Sequence, residues 1–238
     1  MLILAIDSAT PVAGVALLDD HKVIAEHFVN YRKTHSETLM PTIDRLLGEC
    51  QTRLDDLTAI AVTVGPGSFT GLRIGLAAAK GLCLAAAKPA VGISTLDVLA
   101  HNVFGSEALV CPLLDARKQE VYTAFYDVSD TYPRKLSAEL ACSPQEFTVL
   151  ARETAEKHNK ASLILLGDGY YPYEEYFLKE LQDTLLAVPL PLMLPRASSL
   201  GSLALKRLAQ GECDDPLTMT PTYLRLSEAE NRLLKGEG

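Results

Sequence analysis

Three short apolar runs separated by turns fill the first thirty residues of the chain. They cover residues 2–6, 12–18 and 22–29, and turn-forming residues such as Ser, Thr, Pro and Asp lie between them. Apolar runs of this length joined by tight turns are typical of antiparallel strands. The pattern therefore predicts a three-stranded antiparallel meander.

An apolar stripe with helical spacing follows. Thr34 and Glu37 have the spacing of a capping box, and apolar residues then recur every three or four positions, as on one face of a helix: Leu39, Ile43, Leu46, Leu47 and Cys50. Pro41 leaves two starts open. It is the first helical residue, with the helix beginning near Met40, or it lies one turn inside the helix and bends it.

The first half of the chain ends with alternating strand and helix patterns. Residues 59–64 are almost continuously apolar, which is typical of a strand covered on both faces. Helical patterns follow at about 70–86 and 95–103, with a second buried strand at 89–93 between them. Residues 1–105 therefore read as β-β-β-α-β-α-β-α.

The second half repeats this plan. We predict strands at 109–114, 121–128, 136–142 and 163–166, helices at 144–158, 173–183 and 198–210, an irregular proline-containing segment at 189–195, a loop at 214–221 and a short terminal element at 223–225. Two β-β-β-α-β-α copies, each opening with an apolar strand that ends in Asp, have the topology of the actin, Hsp70 and sugar-kinase (ASKHA) superfamily. We therefore expect a two-lobed α/β fold, with lobes at 1–105 and 106–238.

Charge and cysteine usage narrow the functional classes. The chain of 238 residues has 22 basic and 30 acidic residues and a net charge of −8, so it is a poor candidate for sole carrier of affinity for an RNA backbone. The five cysteines are scattered and form no C-x-x-C pair, which favours a reducing compartment. No apolar run reaches about 18 residues, so we expect no membrane span and a cytoplasmic location.

The turn after the first strand is a candidate nucleotide site. It contains Asp7, Ser8 and Thr10, and in actin-like ATPases the equivalent turn faces the nucleotide phosphates. The alternative is an ordinary Asx turn between two strands. Asp115 ends the matching strand of the second half, and Gly167 follows another buried strand, so both are further candidates for such a pocket.

A glycine-rich loop from Gly65 to Gly71 precedes the second helix. Such a loop is able to bind phosphate at a helix N-terminus, but this one matches neither the P-loop nor the dinucleotide-binding pattern. The alternative, a tight strand-to-helix turn in which Gly supplies positive φ, is the interpretation that we favour.

Small residues form a stripe along the second helix. Gly71, Gly75, Ala78, Ala79 and Leu82 recur at helical spacing, and small side chains allow another helix to approach closely. Two interpretations remain open: packing inside one lobe, or an intersubunit helix pair formed with the 39–50 helix.

Searches of the sequence for a metal site or an activated nucleophile find little. The five histidines are His21, His27, His35, His101 and His158, and no two are three or four residues apart. No G-x-S-x-G elbow is present. We therefore expect no catalytic residue and no metal ligand in this chain.

Several of these segments together resemble one family. The segments are Ile6-Asp7-Ser8, Gly14 to Leu17, His35-Ser36-Glu37, Asp115-Ala116-Arg117, Pro221 to Arg225 and, most specifically, Gly65-Pro66-Gly67-Ser68-Phe69-Thr70-Gly71-Leu72-Arg73-Ile74-Gly75. They look like the TsaB (YeaZ) family, whose members are needed for threonylcarbamoyladenosine at position 37 of tRNA. The resemblance spans nearly the whole chain.

The resemblance implies an actin-like fold and a non-catalytic role. Family members bind the catalytic subunit TsaD, which carries the metal-binding His pair that this chain lacks. The ATPase TsaE joins the complex, members self-associate when alone, and tRNA is reached only through the complex. We expect no cofactor in this chain itself, with ATP or ADP expected at the complex. The implied interface lies on the helices near 36–53 and 70–86, with Leu39, Ile43, Leu46, Leu47, Gly71, Leu72, Gly75, Ala78, Ala79 and Leu82 as candidate contacts.

Two other functions compete with this one. An actin-like ATPase or kinase would hold a nucleotide between Asp7, Asp115 and Gly167, and nucleotide would then stabilise the protein against heat. A metalloprotease is the third hypothesis, because some relatives were labelled glycoproteases, and a metal assay would test it.

Overall fold

The computed structural model describes residues 1–30 and 34–225 and shows two β-sheets with helices packed against them. The strands are β1 (Leu2–Asp7), β2 (Ala13–Asp19), β3 (Val23–Val29), β4 (Ala59–Gly65), β5 (Ala90–Ser94), β6 (Ser106–Asp115), β7 (Val121–Thr123), β8 (Tyr126–Val128), β9 (Arg134–Lys135), β10 (Leu140–Cys142) and β11 (Leu163–Leu166). The α-helices are α1 (His35–Glu49), α2 (Phe69–Ala86), α3 (Thr95–His101), α4 (Pro144–Lys157), α5 (Glu174–Leu181) and α6 (Ala197–Ala209). Single 3-10 turns lie at Leu54–Asp56, Tyr171–Tyr173 and Leu190–Leu192.

The first sheet has the order β3-β2-β1-β4-β5. β1, β2 and β3 form the predicted antiparallel meander, whereas β4 and β5 continue the sheet in parallel. Successive residues of β1 point to opposite faces, so Leu4 packs with the α1 and α2 side chains and Ile3 packs with α6. Both faces are therefore covered, which explains the continuous apolar runs of β1 and β4.

The second sheet repeats the arrangement with interruptions. β7 and β8 both pair antiparallel with β6, and the partners of Leu113 and Val110 are Thr123 and Tyr126 in one constant register. The predicted strand 121–128 is thus one strand interrupted at Ala124 and Phe125. The prediction at 136–142 is replaced by β9 and β10, which pair with β8 and β7. β11 pairs parallel with β6, which completes a second β-β-β-α-β unit and confirms the actin-like fold.

Helix α6 comes from the second half of the chain but covers the first sheet. Leu200, Leu203 and Ala204 pack into the cluster formed by Ile3 and Ala5. A Cβ added at Gly201 would lie 2.2 Å from a methyl carbon of Leu18, so the helix and β2 are in close contact. The division into folding units at residue 105 stays a prediction, and α6 links the two halves.

The structure tests the predictions made for the start of α1 and for the C-terminal segment. Pro41 lies one turn inside α1, which confirms the second alternative. The capping box does not form, because the Thr34 side chain makes no cap hydrogen bond and only its carbonyl accepts from the Glu37 amide at 3.1 Å. Residues 223–225 adopt no helix or strand, so the predicted terminal element is absent as regular structure.

Candidate functional site

The turn between β1 and β2 is closed by its own hydrogen bonds. The fully buried Asp7 accepts from the Thr63 hydroxyl at 2.7 Å and from the Ala9 amide at 3.2 Å, both through Oδ1. The bond to Ala9 makes an Asx turn, as the structural alternative predicts. Oδ2 is buried and has no hydrogen-bond partner within the described residues. Burial raises the pKa of the Asp7 carboxyl, although hydrogen bonds from Thr63 and Ala9 oppose the shift.

The hydroxyl groups of the same turn are used inside the chain. The Ser8 side chain donates to the Gly71 carbonyl at 2.9 Å, and the Thr10 hydroxyl accepts from the Val12 amide at 3.2 Å. His35 Nε2 lies 2.8 Å from the Thr10 carbonyl and acts as donor to it. Because Ser8 and Thr10 are only 1% and 2% exposed, the hydroxyls that a phosphate would need are enclosed in this conformation.

The Gly65–Gly71 loop packs against two other backbone segments. A Cβ added at Gly67 would lie 2.3 Å from the Ala9 carbonyl oxygen, and one at Gly65 would lie 2.6 Å from that of Thr222. Gly65 also has φ +117, a conformation that glycine adopts without strain. Ser68 caps α2 by accepting from the Gly71 amide at 3.2 Å. These contacts support the structural interpretation of the loop.

The small-residue stripe of α2 fits against the Asp7 turn. Added Cβ atoms at Gly71 and Gly75 would lie 2.1 Å from the Ser8 carbonyl oxygen and 2.2 Å from the Ser8 hydroxyl oxygen. These two positions require glycine because α2 touches the β1–β2 turn of the same chain. Of the two interpretations left open by the sequence, packing inside the chain is the one that the structure shows for this stripe.

The other proposed contact residues of α1 and α2 mostly face the core as well. Ala78 is half-buried. The others have at most 9% of their surface exposed and lie in the core beneath the two helices: Leu39, Ile43, Leu46, Leu47, Leu72, Ala79 and Leu82. In this conformation these side chains face the core and not solvent. Their apolar periodicity identified the inner faces of the helices, because a core-facing stripe and a partner-facing stripe have the same spacing.

The outer faces of the same helices carry unexpected apolar surface. Leu84 of α2 and Met40 of α1 are 56% and 46% exposed. Among the described residues, Gly81 on α2 and Gly48 on α1 have no atom within 4 Å of an added Cβ, and neither has a positive φ. A helical glycine costs about 1 kcal/mol relative to alanine, and no packing contact in residues 1–30 and 34–225 requires that cost at either position.

α2 is apolar around most of its circumference. Its mean hydropathy is 1.3 over 18 residues. Among the described residues, it is the one helix whose length and composition would allow it to cross a membrane. Its inner face packs against β4, but only 33% of that window is buried. This all-round hydrophobicity was the sequence signal for a second apolar face, and a search for one stripe does not detect it.

The candidate residues of the second sheet form a similar closed turn. Asp115 accepts from the Arg117 amide at 2.8 Å, and its own amide donates to Asp168 at 3.2 Å. Arg117, Lys118 and Gln119 all have positive φ, at 59, 51 and 63 degrees, a conformation that non-glycine residues seldom adopt. Gly167 has φ +115, and an added Cβ would lie 2.1 Å from the Leu113 carbonyl oxygen. Backbone packing thus accounts for Gly167.

The segment before the end of the described chain links the two sheets. We call residues 219–225 the strap. The Thr222 amide donates to the Val64 carbonyl at 2.7 Å in the first sheet. Arg225 reaches the second sheet, where it pairs with Glu120 at 2.7 Å. The strap was predicted only as a terminal element, and its bridging role is a finding of the structure.

Metal-ligating residues do not gather within the described ranges. No group of three or more His, Cys, Asp or Glu side chains able to hold a metal occurs in residues 1–30 and 34–225. His27 Nε2 lies 3.0 Å from Glu49 Oε2, and His101 Nε2 lies 3.0 Å from the Ser202 hydroxyl oxygen.

Known proteins resemble this chain over its full length. The family model for TsaD, tRNA N6-adenosine threonylcarbamoyltransferase, matches residues 22–233. The tRNA threonylcarbamoyladenosine biosynthesis protein TsaB of Bacillus subtilis is 32% identical over 238 residues, which cover 100% of both chains. TsaB of Haemophilus influenzae is 29% identical, with 94% of each chain covered.

The solved structures agree with the sequence matches. YeaZ from Pseudomonas aeruginosa superposes with a TM-score of 0.78 at 29% identity, covering 94% of this chain and 99% of that one. A dehydratase component A from Acidaminococcus fermentans shares the fold alone, with a TM-score of 0.51 at 12% identity and coverage of 88% and 99%. This chain therefore belongs to the TsaD-related family, and within it to the TsaB (YeaZ) proteins of tRNA threonylcarbamoyladenosine biosynthesis.

Proposed function

We propose that this chain is a non-catalytic subunit for tRNA threonylcarbamoyladenosine formation, and that it acts by binding a TsaD-type catalytic subunit. The full-length relatives are named as biosynthesis proteins of this modification. The match to the TsaD family model indicates that the chain and the transferase have a common architecture.

The closed Asp7 turn favours a non-catalytic role for this chain. Its carboxylate and both hydroxyls are enclosed and hydrogen-bonded to residues such as Thr63 and Gly71. A catalytic group has to reach the reacting atoms, whereas Asp7, Ser8 and Thr10 are at most 2% exposed. ATP or ADP is accordingly assigned to the assembled complex and not to this turn.

The outer α1–α2 face is the surface that we assign to the partner. We define it by the outward residues Met40, Gly48, Ala77, Gly81 and Leu84. Exposed apolar side chains beside solvent-facing glycines permit close helix packing, and contiguous apolar patches mark interaction sites. Exposed Leu84 and the unexplained Gly81 are the observations that carry this assignment.

The remaining partners follow the same proposal. Self-association through the outer α1–α2 face would cover its apolar surface when the catalytic subunit is absent, so homodimer and heterodimer would compete. TsaE would join the assembled pair, and tRNA would be bound through the complex. The pathway acts on tRNA, and we assign the chain to the cytoplasm with it.

The test is complex formation measured by light scattering with TsaD from the same organism. Wild-type protein should form a stable mixed complex and support threonylcarbamoyladenosine formation in a reconstituted reaction. Leu84→Glu should weaken both, because it places a charge in the apolar contact. Leu178→Glu is the matched control, since Leu178 is a helical leucine that is 48% exposed on α5.

The outcomes separate the parts of the proposal. Absence of any wild-type complex contradicts the binding-subunit role. A complex that Leu84→Glu and Leu178→Glu weaken equally contradicts the assignment to the outer α1–α2 face and leaves the role in place.

A further inference from the structure

An arginine lies beside a pair of stacked aromatic rings at the N-terminal end of α2. The Arg73 guanidinium carbon lies 3.8 Å from the centre of the Phe69 ring and 5.9 Å from that of Tyr223. The two rings stack with centres 4.7 Å apart. Arg73 Nε donates to the Tyr223 hydroxyl at 3.0 Å. The Phe69 ring therefore holds one face of the guanidinium, and the Tyr223 hydroxyl holds its Nε.

The two aromatic residues are themselves fixed by separate parts of the chain. Phe69 is the first residue of α2, directly after the Ser68 cap. Tyr223 belongs to the strap, and on either side of it Thr222 binds the Val64 carbonyl and Arg225 pairs with Glu120. Arg73 thus keeps an exposed position without the loss of side-chain entropy that a mobile arginine would suffer on binding.

No acidic residue in the described part of the chain neutralises Arg73. Lys80, also on α2, donates to the Leu217 carbonyl, and Lys88 just beyond the helix donates to the Asp55 carbonyl. Arg73 makes no ion pair within residues 1–30 and 34–225. Arg73 is exposed, and the hydrogen bond that it makes to the Tyr223 hydroxyl goes through Nε and not through a terminal nitrogen.

The position of Arg73 makes it continuous with the outer α1–α2 face. Residues four apart lie above one another on a helix, so Arg73, Ala77 and Gly81 form one line along the exposed side of α2. Leu84 continues the same side one turn further on. An apolar contact with a cation at one end is the arrangement found in interface hot spots, where Arg and Tyr are enriched.

We propose that Arg73 is the charged anchor of the outer α1–α2 face and receives a carboxylate side chain of the partner subunit, with Phe69 and Tyr223 as positioning residues. This inference rests on the proposed function and adds the chemistry that the partner has to present. A carboxylate fits the planar fork of a guanidinium in a bidentate pair.

A protein carboxylate is favoured over an RNA phosphate. Surfaces that bind a phosphate backbone carry several cations in a patch. The exposed line that begins at Arg73 continues with Ala77, Gly81 and Leu84, and the other cation of the helix, Lys80, donates to the Leu217 carbonyl. The net charge of −8 also opposes a polyanion. One fixed cation at the end of an apolar line favours a single acidic side chain.

The experiment measures the affinity of TsaD from the same organism for the full chain carrying Arg73→Gln or Arg73→Glu. We expect at least about a tenfold loss for Arg73→Gln and a larger one for Arg73→Glu, since truncating one member of a desolvated charge pair leaves its partner unpaired. Arg152→Glu, which changes an exposed arginine on α4, should leave the affinity unchanged. Thermal unfolding of each free variant shows whether it is folded.

The positioning role has a separate readout. Tyr223→Phe keeps the ring stack but removes the hydroxyl that accepts from Arg73. It should weaken binding by roughly two- to fivefold and should have no effect when Arg73 is already Gln. A Tyr223→Phe effect that is undiminished in the Arg73→Gln background overturns the positioning role.

The outcomes distinguish this inference from the proposed function. A wild-type complex that Arg73→Gln and Arg73→Glu leave unchanged overturns the anchor while the binding-subunit role stands. If these variants weaken tRNA binding by the complex but not its assembly, the group received by Arg73 is a phosphate, and the inference is wrong. Without any wild-type complex, the proposed function fails first.

Discussion

The two sides of α2 contain the same residue types for opposite reasons. On the inner side, Gly71 and Gly75 have no room for a methyl group, because Ser8 occupies the space within 2.2 Å of both added Cβ positions. On the outer side, no described residue has an atom within 4 Å of a Cβ added at Gly81. The fold explains the inner glycines, whereas no contact in the described part of the chain offsets the stability that the outer glycine costs.

This difference teaches that a small-residue stripe does not identify its own partner. The inner stripe was the better interface candidate by sequence, yet it packs against a turn of the same chain. The outer stripe is less regular, but the space beside it is open. Substitutions that behave differently on the two sides test the distinction directly.

The largest expected effect is at the inner side. Gly71→Ala would drive a methyl group into the Ser8 carbonyl oxygen, 2.1 Å away, and backbone has to move to accommodate it. We expect the free energy of unfolding to fall by about 3 kcal/mol, measured by urea denaturation of the free chain. A variant as stable as wild type would show that the inner contact is loose and would remove the contrast.

The next effect concerns binding at the outer side. Gly81→Leu adds a side chain where a partner helix would approach, so the affinity for TsaD should fall at least about tenfold while the thermal midpoint of the free chain is unchanged or higher. Glu153→Leu on α4 adds a comparable exposed leucine as control. Equal affinity for Gly81→Leu and wild type would mean that the partner binds elsewhere.

The buried carboxyl beneath the inner stripe predicts a pH dependence. Burial raises the pKa of Asp7 in the folded state, so its neutral form is favoured by folding. The stabilisation is fully present below the unfolded-state pKa of about 3.9 and is lost as the pH rises through the folded-state pKa, by at most about 1.4 kcal/mol per pH unit for one proton.

Asp7→Asn removes this titration while keeping an oxygen for the Thr63 hydroxyl. Across pH 4 to 8, the stability of the variant relative to wild type should therefore increase with pH in urea denaturation. Parallel curves for the two proteins would contradict the raised pKa. Asp19→Asn on the exposed turn provides the comparison. The His21 amide lowers the pKa of Asp19, so the titration of Asp19 lies below about pH 4 and the stability of this variant relative to wild type should stay flat across the same range.

The smallest expected effect is a gain in the stability of the free chain. Gly81→Ala fills open space on a solvent-facing helix position and should stabilise the free chain by about 1 kcal/mol, measured by the same denaturation. The sign is opposite to that of Gly71→Ala, although both changes add one methyl group to α2. A loss of stability at Gly81 would show that its backbone or neighbours are more constrained than the structure indicates.

Much of the fold followed from local sequence signals. The turn-bounded apolar runs of β1 to β3, the continuous apolar run of β4 and the helical stripe of α1 place these elements within a few residues of their observed bounds. The capping box at Thr34 failed because its side chain makes no cap hydrogen bond. The single strand expected at 121–128 failed because its pairing with β6 is interrupted at Ala124 and Phe125.

The sequence by itself determined the elements, their order and the family, since each depends on residues that are neighbours along the chain. Only the tertiary structure decided which face of α2 is inner, that α6 covers the first sheet, and that the strap brings Tyr223 onto Arg73 across 150 residues. Apolar spacing reports that a face is buried but not by what, and contacts between distant segments depend on how whole elements pack. The outer α1–α2 face, which we propose for the partner, therefore becomes apparent only after the inner contacts have been assigned.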